Sequence, residues 1–380
     1  MEEIKAKILL FGAVMAAGMA VTADAYGQAA NECGVKLAFN GAACTGIGLM
    51  AKDGGYVMAR TMEWAGPYVP YGRVVIPRGE RIVSYTPQGK NGLEFTAKYG
   101  VAGIAPQQKE FIIEGLNEKG LQAGLFYFPK FGKYVPYNPQ NNAGTLADMQ
   151  FVTWVLGSFA TIDEVKEALQ EIDVVSIAVG GDSSTVHWRI GEPGGRQVVL
   201  EFINGEAQFH ENPVGVFTNG PEFSWHLSNL SNYINLYPGV AKSQKWGDFE
   251  ITSIGGGSGA LGLPGDMTSP SRFIRIAYFK ATAPQLENSY RTVLQAFHIL
   301  NNFDIPIGIE HPLGEVPDVP SATPCTSASD LKELKLYYRT TYNSTIRCID
   351  LKSIDFDSVK YEFKPLDPVL EEPVEMVIVK

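Results

Sequence analysis

The 380-residue sequence predicts an α+β body in which two sheets are covered by helices. Three observations carry that expectation. Strand-like runs alternate with helical ones in the order strands, helices, strands, helices, strands. Gly, Pro and Asn clusters separate the strand-like runs at short intervals. No internal repeat and no linker long enough to divide the body interrupts this order.

The first segment reads as an export signal. Lys5 and Lys7 precede an apolar run from Ile8 to Val21, and Ala23-Asp24-Ala25 follows as a small-x-small cleavage site, so residues 1–25 are expected to be a signal peptide. Glu2 and Glu3 dilute the positive start. A membrane-anchoring helix is the competing reading, but the run is short for a span and no stop-transfer cluster follows. Residues 26–43 are small, polar and weakly patterned, and are expected to form a pro-segment removed to expose Cys44. A signal-peptidase cut after Ala43 would give the same terminus. Residues 44–380 are expected to fold as one domain, in an exported, periplasmic or secreted protein.

A hairpin opens that domain. The apolar, β-prone runs Cys44 to Met50 and Tyr56 to Met62 flank Lys52-Asp53-Gly54-Gly55, and Asp-Gly between such runs is a hairpin signal. With the turn centred between Asp53 and Gly54, Glu63 is expected opposite Cys44. Strands are then expected at 73–77, 92–99, 111–115 and 120–128, the last after a turn at Asn117-Glu118-Lys119. Helices follow at 148–159 and 162–171, the second with Thr161 as N-cap and Asp163 and Glu164 in its first turn. Strands resume at 185–190, 197–203 and 215–218, and helices at 271–281 and 285–302. The closing strands are placed at 333–341, 345–351 and 376–379, with Asn343-Ser344 as a turn.

Composition excludes several classes. A chain that is 45% hydrophobic and 11% aromatic is ordinary for a globular protein. Its formal net charge of -10, with no basic stripe, zinc-finger spacing or aromatic RNA motif, makes nucleic acid an unexpected partner. After the leader no apolar run is long enough to span a bilayer, so no membrane association is expected once the signal is cleaved. The five histidines show no ligand spacing and no Cys-x-x-Cys occurs, so no metal is expected. Gly257-Ser258-Gly259-Ala260-Leu261-Gly262 fits a dinucleotide-binding spacing, but Leu263-Pro264 falls where a helix should begin, and a glycine loop is the better reading. Cys325 and Cys348 are open to two readings, a disulfide of an exported protein or two free thiols.

The chemistry centres on Cys44. A free cysteine is only a few per cent thiolate at neutral pH and needs a base or a cation beside it. A chain that begins at Cys44 carries an α-amine of pKa about 7.7 to 8 on the same residue, so the nucleophile brings its own base. Arg60 would stabilise the thiolate, and Glu63 would bond and orient the α-amine. These two differ by an odd number, so a bend or strand end between them is expected.

The hairpin resembles the start of the choloylglycine hydrolase family, N-terminal-nucleophile hydrolases that include bile salt hydrolases and penicillin V acylases. Further resemblances run almost to the C-terminus: Gly115-Leu116-Asn117-Glu118-Lys119-Gly120-Leu121, Phe217-Thr218-Asn219-Gly220-Pro221, Gly262-Leu263-Pro264-Gly265-Asp266, Ser271-Arg272-Phe273, Tyr337-Tyr338-Arg339-Thr340-Thr341 and Cys348-Ile349-Asp350-Leu351. Each is weak alone; their order and spacing together are specific.

That resemblance implies a four-layer αββα sandwich of two antiparallel sheets, and hydrolysis of a linear non-peptide amide without metal or cofactor. It implies Cys44 as nucleophile, Arg60 as the active-site arginine, Asn219 as side-chain oxyanion donor and Arg272 as a second, bracing arginine. The main chain at Phe126 or Tyr127 matches the other oxyanion contributor. At Glu63 the sequence departs from the family's usual aspartate by one methylene. Trp64 resembles the Gram-negative branch and, with Tyr127, is expected to touch substrate. Penicillin V, conjugated bile acids and N-acyl homoserine lactones are the substrates implied, with a lean to the acylase side. A homo-oligomer, with a tetramer favoured, is also implied. The competing class is a non-catalytic exported binding protein on the same scaffold.

Overall fold

The hairpin forms, one residue out of the expected register. In the computed structural model, which describes residues 43–64, 68–177 and 184–379, strand β1 (Cys44–Met50) pairs antiparallel with strand β2 (Tyr56–Met62). Ala51 N donates to Gly55 O at 2.8 Å, which centres the loop on Asp53 instead of between Asp53 and Gly54. Asp53 Oδ1 accepts from Gly55 N, and Gly54 takes φ 80, the left-handed conformation that glycine adopts at no steric cost. Cys44 therefore faces Met62, and Glu63 lies just past the strand. The signal peptide expected at 1–25 and the pro-segment up to residue 42 lie outside the described residues.

The hairpin is the centre of a six-stranded sheet. Its spatial order is Val216–Phe217, β1, β2, Cys325–Asp330, Lys335–Thr340, Asn343–Asp350. An eight-stranded sheet lies against it in the order Glu206–Glu211, Gln197–Ile203, Val186–Gly191, Gln122–Tyr127, Glu114–Asn117, Val101–Pro106, Tyr71–Ile76, Glu362–Pro365. All the pairings in both sheets are antiparallel.

Helices close both outer faces. Helices Ser269–Thr282 and Ser289–Leu300 cover β1 and β2, and helix Phe151–Ser158 covers the middle of the larger sheet. The fold is an αββα sandwich. Helix Ser289–Leu300 shows why the chain folds this way. Asn288 caps it by accepting from Arg291 N, and Val293, Ala296, Phe297 and Leu300 form one buried stripe at helical spacing. Each large apolar side chain so buried contributes about 1.5–3 kcal/mol.

Several local expectations are corrected. The strand placed at 92–99 shrinks to Glu94–Thr96, and the turn placed at Asn343-Ser344 sits at 341–342. Residues 376–379 form no strand, and their apolar side chains are exposed. Cys325 and Cys348 are both free thiols: Cys325 is buried opposite Thr340, while Cys348 is exposed opposite Tyr337.

Candidate active site

Cross-strand pairing places the arginine on the nucleophile's own face. Gly46 pairs with Arg60 and Cys44 with Met62, so Cys44 and Arg60 stand two residues apart on the side that meets the second sheet. Arg60 Nη2 donates to Cys44 Sγ at 2.6 Å, and its Nη1 donates to Leu125 O at 2.5 Å across the sandwich. The guanidinium stacks on the Phe126 ring, 3.8 Å from its centroid. Gly46 makes this crowding possible, because a Cβ there would stand 2.6 Å from Arg189 Nη1.

Asn219 and Arg272 hold the main chain of Cys44. Cys44 N donates to Asn219 Oδ1 at 2.8 Å. Arg272, in the first turn of helix Ser269–Thr282, donates to Cys44 O at 2.6 Å, to Thr45 Oγ1 at 2.8 Å and to Asn219 Oδ1 at 2.8 Å. Asn219 Nδ2 donates to Tyr127 O at 2.8 Å. His226 Nε2 donates to Asn219 O at 2.8 Å, which fixes the segment from behind.

Strand geometry separates Phe126 from Tyr127. Phe128 N donates to Thr185 O, while Leu125 N donates to Ile113 O on the other side. Alternation then turns the main-chain N–H and C=O of Tyr127 away from the Val186–Gly191 strand, to the side that Asn219 marks. Of the two expected contributors, Tyr127 has the amide on the nucleophile's side. Phe126 contributes its ring beneath Arg60.

Glu63 is beside Cys44 but not bonded to its nitrogen. It is the main-chain N–H of Glu63 that binds here, donating to Ala43 O at 2.9 Å. Its Oε1 accepts from Thr323 Oγ1 at 3.5 Å, and its Oε2 is buried with no hydrogen-bond partner among the described residues. Burial pushes this carboxyl up to about 8, against the pull of Arg272. The expected bond to a terminal amine is absent because Cys44 N is still an amide, joined to a buried Ala43. Burial also raises the Cys44 thiol above its ordinary range; Arg60, Arg272 and the Glu63 N–H pull the other way. Among the described residues, no histidine lines the pocket onto which Cys44 opens.

Sequence reasoning missed the carboxylate behind Arg60. Glu114 Oε2 lies 3.5 Å from Arg60 Nη1 and its Oε1 lies 3.5 Å from Arg189 Nη2, all three side chains being fully buried. Gln122 Nε2 donates to the same carboxylate at 2.5 Å. Arg189 Nη1 also crosses the sandwich, to Ile47 O at 3.4 Å and Ala59 O at 3.3 Å. The available signal was a charged residue inside an apolar strand run, at Glu114 after Phe111-Ile112-Ile113 and at Arg189 between Trp188 and Ile190. In front of Cys44 and Arg60 opens a pocket of about 540 Å³ whose lining includes Met62, Glu63, Trp64, Tyr71, Leu125 and Tyr127. The described residues contain no cluster of three or more metal-ligating side chains.

Residues 44–362 match the model of the linear amide C–N hydrolases, choloylglycine hydrolase family. The chain belongs to the choloylglycine hydrolase family. It is 33% identical over 83% of its length to a bile salt hydrolase/transferase of Clostridium perfringens, covering 94% of that protein. It is 26% identical over 79% of its length to a penicillin V acylase of Pectobacterium atrosepticum, covering 78% of it. A solved structure of a conjugated bile acid hydrolase from Clostridium perfringens superposes with a TM-score of 0.75 at 30% identity, over 88% of this chain and 100% of that one. Penicillin V acylase from Agrobacterium tumefaciens, at 22% identity and a TM-score of 0.67 over 83% of this chain and 88% of that one, shares the fold. This choloylglycine hydrolase is an enzyme acting on the C–N bond of linear amides, of bile salt hydrolase or penicillin V acylase type.

Proposed function

We propose that the chain is an exported amidase whose mature form begins at Cys44 and which removes an apolar acyl group from a small-molecule amide. The observation that carries this reading is the Cys44 thiol at 2.6 Å from Arg60 Nη2, lining an apolar pocket whose described lining includes no histidine. Burial works against the thiolate, the hydrogen bond that Sγ receives comes from a cation, Arg60, and the nearby Glu63 carboxyl is itself held protonated by burial near neutral pH. An α-amine on Cys44 supplies a base. The family match that begins at residue 44 supports the same terminus.

In this reading the thiol proton passes to the α-amine and the thiolate attacks the amide carbonyl. The Tyr127 main-chain N–H and the second hydrogen of Asn219 Nδ2 meet the oxyanion, while Arg272 keeps Asn219 and the Cys44 carbonyl in place. The α-ammonium protonates the leaving amine. Water, deprotonated by the α-amine, then frees the acid from Cys44. Glu63 balances the new ammonium, and its carboxyl ionises more readily once that cation stands beside it.

The aromatic wall of Trp64, Tyr71 and Tyr127 suits a ring-bearing or extended acyl group, as in penicillin V, conjugated bile acids or N-acyl homoserine lactones. Homo-oligomerisation, with a tetramer favoured, belongs to the same proposal and is read by light scattering. The deciding experiment combines the intact mass of the purified protein with turnover of one amide from each of those three classes. The expected result is a chain starting at Cys44 that cleaves at least one of them, and a folded, inactive Cys44→Ser variant. A chain that keeps Ala43 and still turns over, or a serine variant at the parental rate, overturns the proposal.

A further inference from the structure

A second pocket, of about 510 Å³, lies against the first, and Trp64, Val69 and Tyr71 line both. Its far side is different in kind. Thr341, Tyr342 and Asp367 line it there, and Tyr68 meets Tyr342 edge-on with ring centroids 6.1 Å apart. Thr341 and Tyr342 lie inside the family-matched stretch, and Asp367 five residues past its end at 362. Its carboxylate accepts from Arg347 Nη1 at 2.7 Å, which neutralises it. Thr341 Oγ1 is buried and has no hydrogen-bond partner among the described residues. A buried hydroxyl left without a partner is destabilising, and a bound polar group removes that cost.

Resting on the amidase reading above, we propose that this second pocket is a subsite for the distal end of the substrate's acyl group, and that the end it takes is apolar in body and carries a neutral hydroxyl. The apolar body follows from the shared wall of Trp64, Val69 and Tyr71. The hydroxyl follows from the far wall, where Thr341 offers an unused donor and acceptor beside two phenols. The neutrality follows from the Asp367–Arg347 pair: each charge is already satisfied by the other at 2.7 Å, and the pocket's described lining offers no unpaired charge to hold an anionic or a cationic end.

The test uses the processed enzyme and three N-acylglycines, hexanoyl, dodecanoyl and ω-hydroxydodecanoyl, with kcat/KM measured for each. Thr341→Val is expected to lower kcat/KM about tenfold for the ω-hydroxy substrate and to leave the other two within about twofold. Val319→Trp, which fills the pocket from its rim, is expected to lower both dodecanoyl substrates about tenfold and to spare hexanoyl. Equal effects on all three substrates, or none on the long ones, overturn the subsite while the amidase reading stands. Failure of the parent enzyme to cleave even hexanoylglycine, or any amide of the three classes above, removes the amidase reading and the subsite with it.

Discussion

Two buried arginines reach Cys44, and they reach different parts of it. Arg60 comes from the neighbouring strand, touches the sulfur, and shares the Glu114 carboxylate with Arg189. Arg272 comes from a helix far along the chain and its hydrogen bonds go to neutral acceptors: the Cys44 and Met267 carbonyls, the Thr45 hydroxyl and the Asn219 amide oxygen. In the proposed mechanism the first places charge where charge develops, on the sulfur. The second uses its charge to strengthen hydrogen bonds that fix geometry. Equal burial and equal formal charge therefore carry unequal functions, and what decides between them is the atom at the end of each guanidinium.

The sharpest way to break that comparison is to remove each arginine and read the thiol directly. Arg60→Met is expected to lower turnover about a thousandfold, as the loss of an aimed charge or donor does in a buried site. Since Arg60 lowers the thiol pKa, its loss should also move the pH midpoint of iodoacetamide alkylation of Cys44 upward. An unchanged alkylation profile would remove Arg60 from the chemistry. Arg272→Met is expected to cost about a hundredfold in turnover and about 3 kcal/mol of stability by urea unfolding, because it strips three buried acceptors. The alkylation midpoint should move less than in Arg60→Met. A larger move would reverse the roles assigned here.

Much of this site was legible in the chain, for reasons particular to each residue. The Asp53-Gly54 turn announces the hairpin, and the odd spacing of Arg60 and Glu63 calls for a bend or strand end between them, which the end of β2 at Met62 provides. The register was not legible, because Asp-Gly suits both a two-residue turn and the longer Asp53-centred loop, and only the Ala51 to Gly55 bond decides between them. Tyr127 was separable from Phe126 only after the partner of Phe128 N was known. Glu114 and Arg189 were invisible for another reason: two charges on strands distant in sequence meet only when the sheets stack. The strand expected at 376–379 shows the converse, since four β-prone residues stay unpaired where no neighbouring strand receives them.

Glu63 sharpens the comparison from the carboxylate side, and its effect is a matter of pH. In the uncut chain its pKa is about 8 against 4.5 for a free glutamate, so the folded state holds this proton more tightly than the unfolded state does. The contribution to stability is therefore fully present below about pH 4.5 and is lost as pH rises through 8. Glu63→Gln, made in a Cys44→Ala background that keeps Ala43, should match its parent near pH 5 and exceed it by a few kcal/mol at most near pH 9. Thermal unfolding at the two pH values reads this, and an equal difference at both would show that the carboxyl is not the titrating group.

The smallest expected effect belongs to Glu63→Asp, the residue that the family resemblance leads one to expect here. In the processed enzyme proposed above the carboxylate would have one electrostatic task, to balance and orient the α-ammonium, and aspartate keeps that charge while drawing it back by one methylene. The position is just past the end of β2, where the main chain is held by Glu63 N to Ala43 O, a bond that the proposed processing would remove, and by Trp64 N to Ala322 O. With the first of these anchors gone the chain can follow a shorter side chain, so kcat/KM for the preferred amide should stay within about threefold of the parent. A hundredfold loss would mean that the longer arm of glutamate is fitted to the wall around Thr323 and that this site has drifted from the family geometry as a unit. A hundredfold gain would mean that glutamate holds the α-amine off its best angle, and that Arg60, already on the sulfur, waits on an amine that is badly aimed.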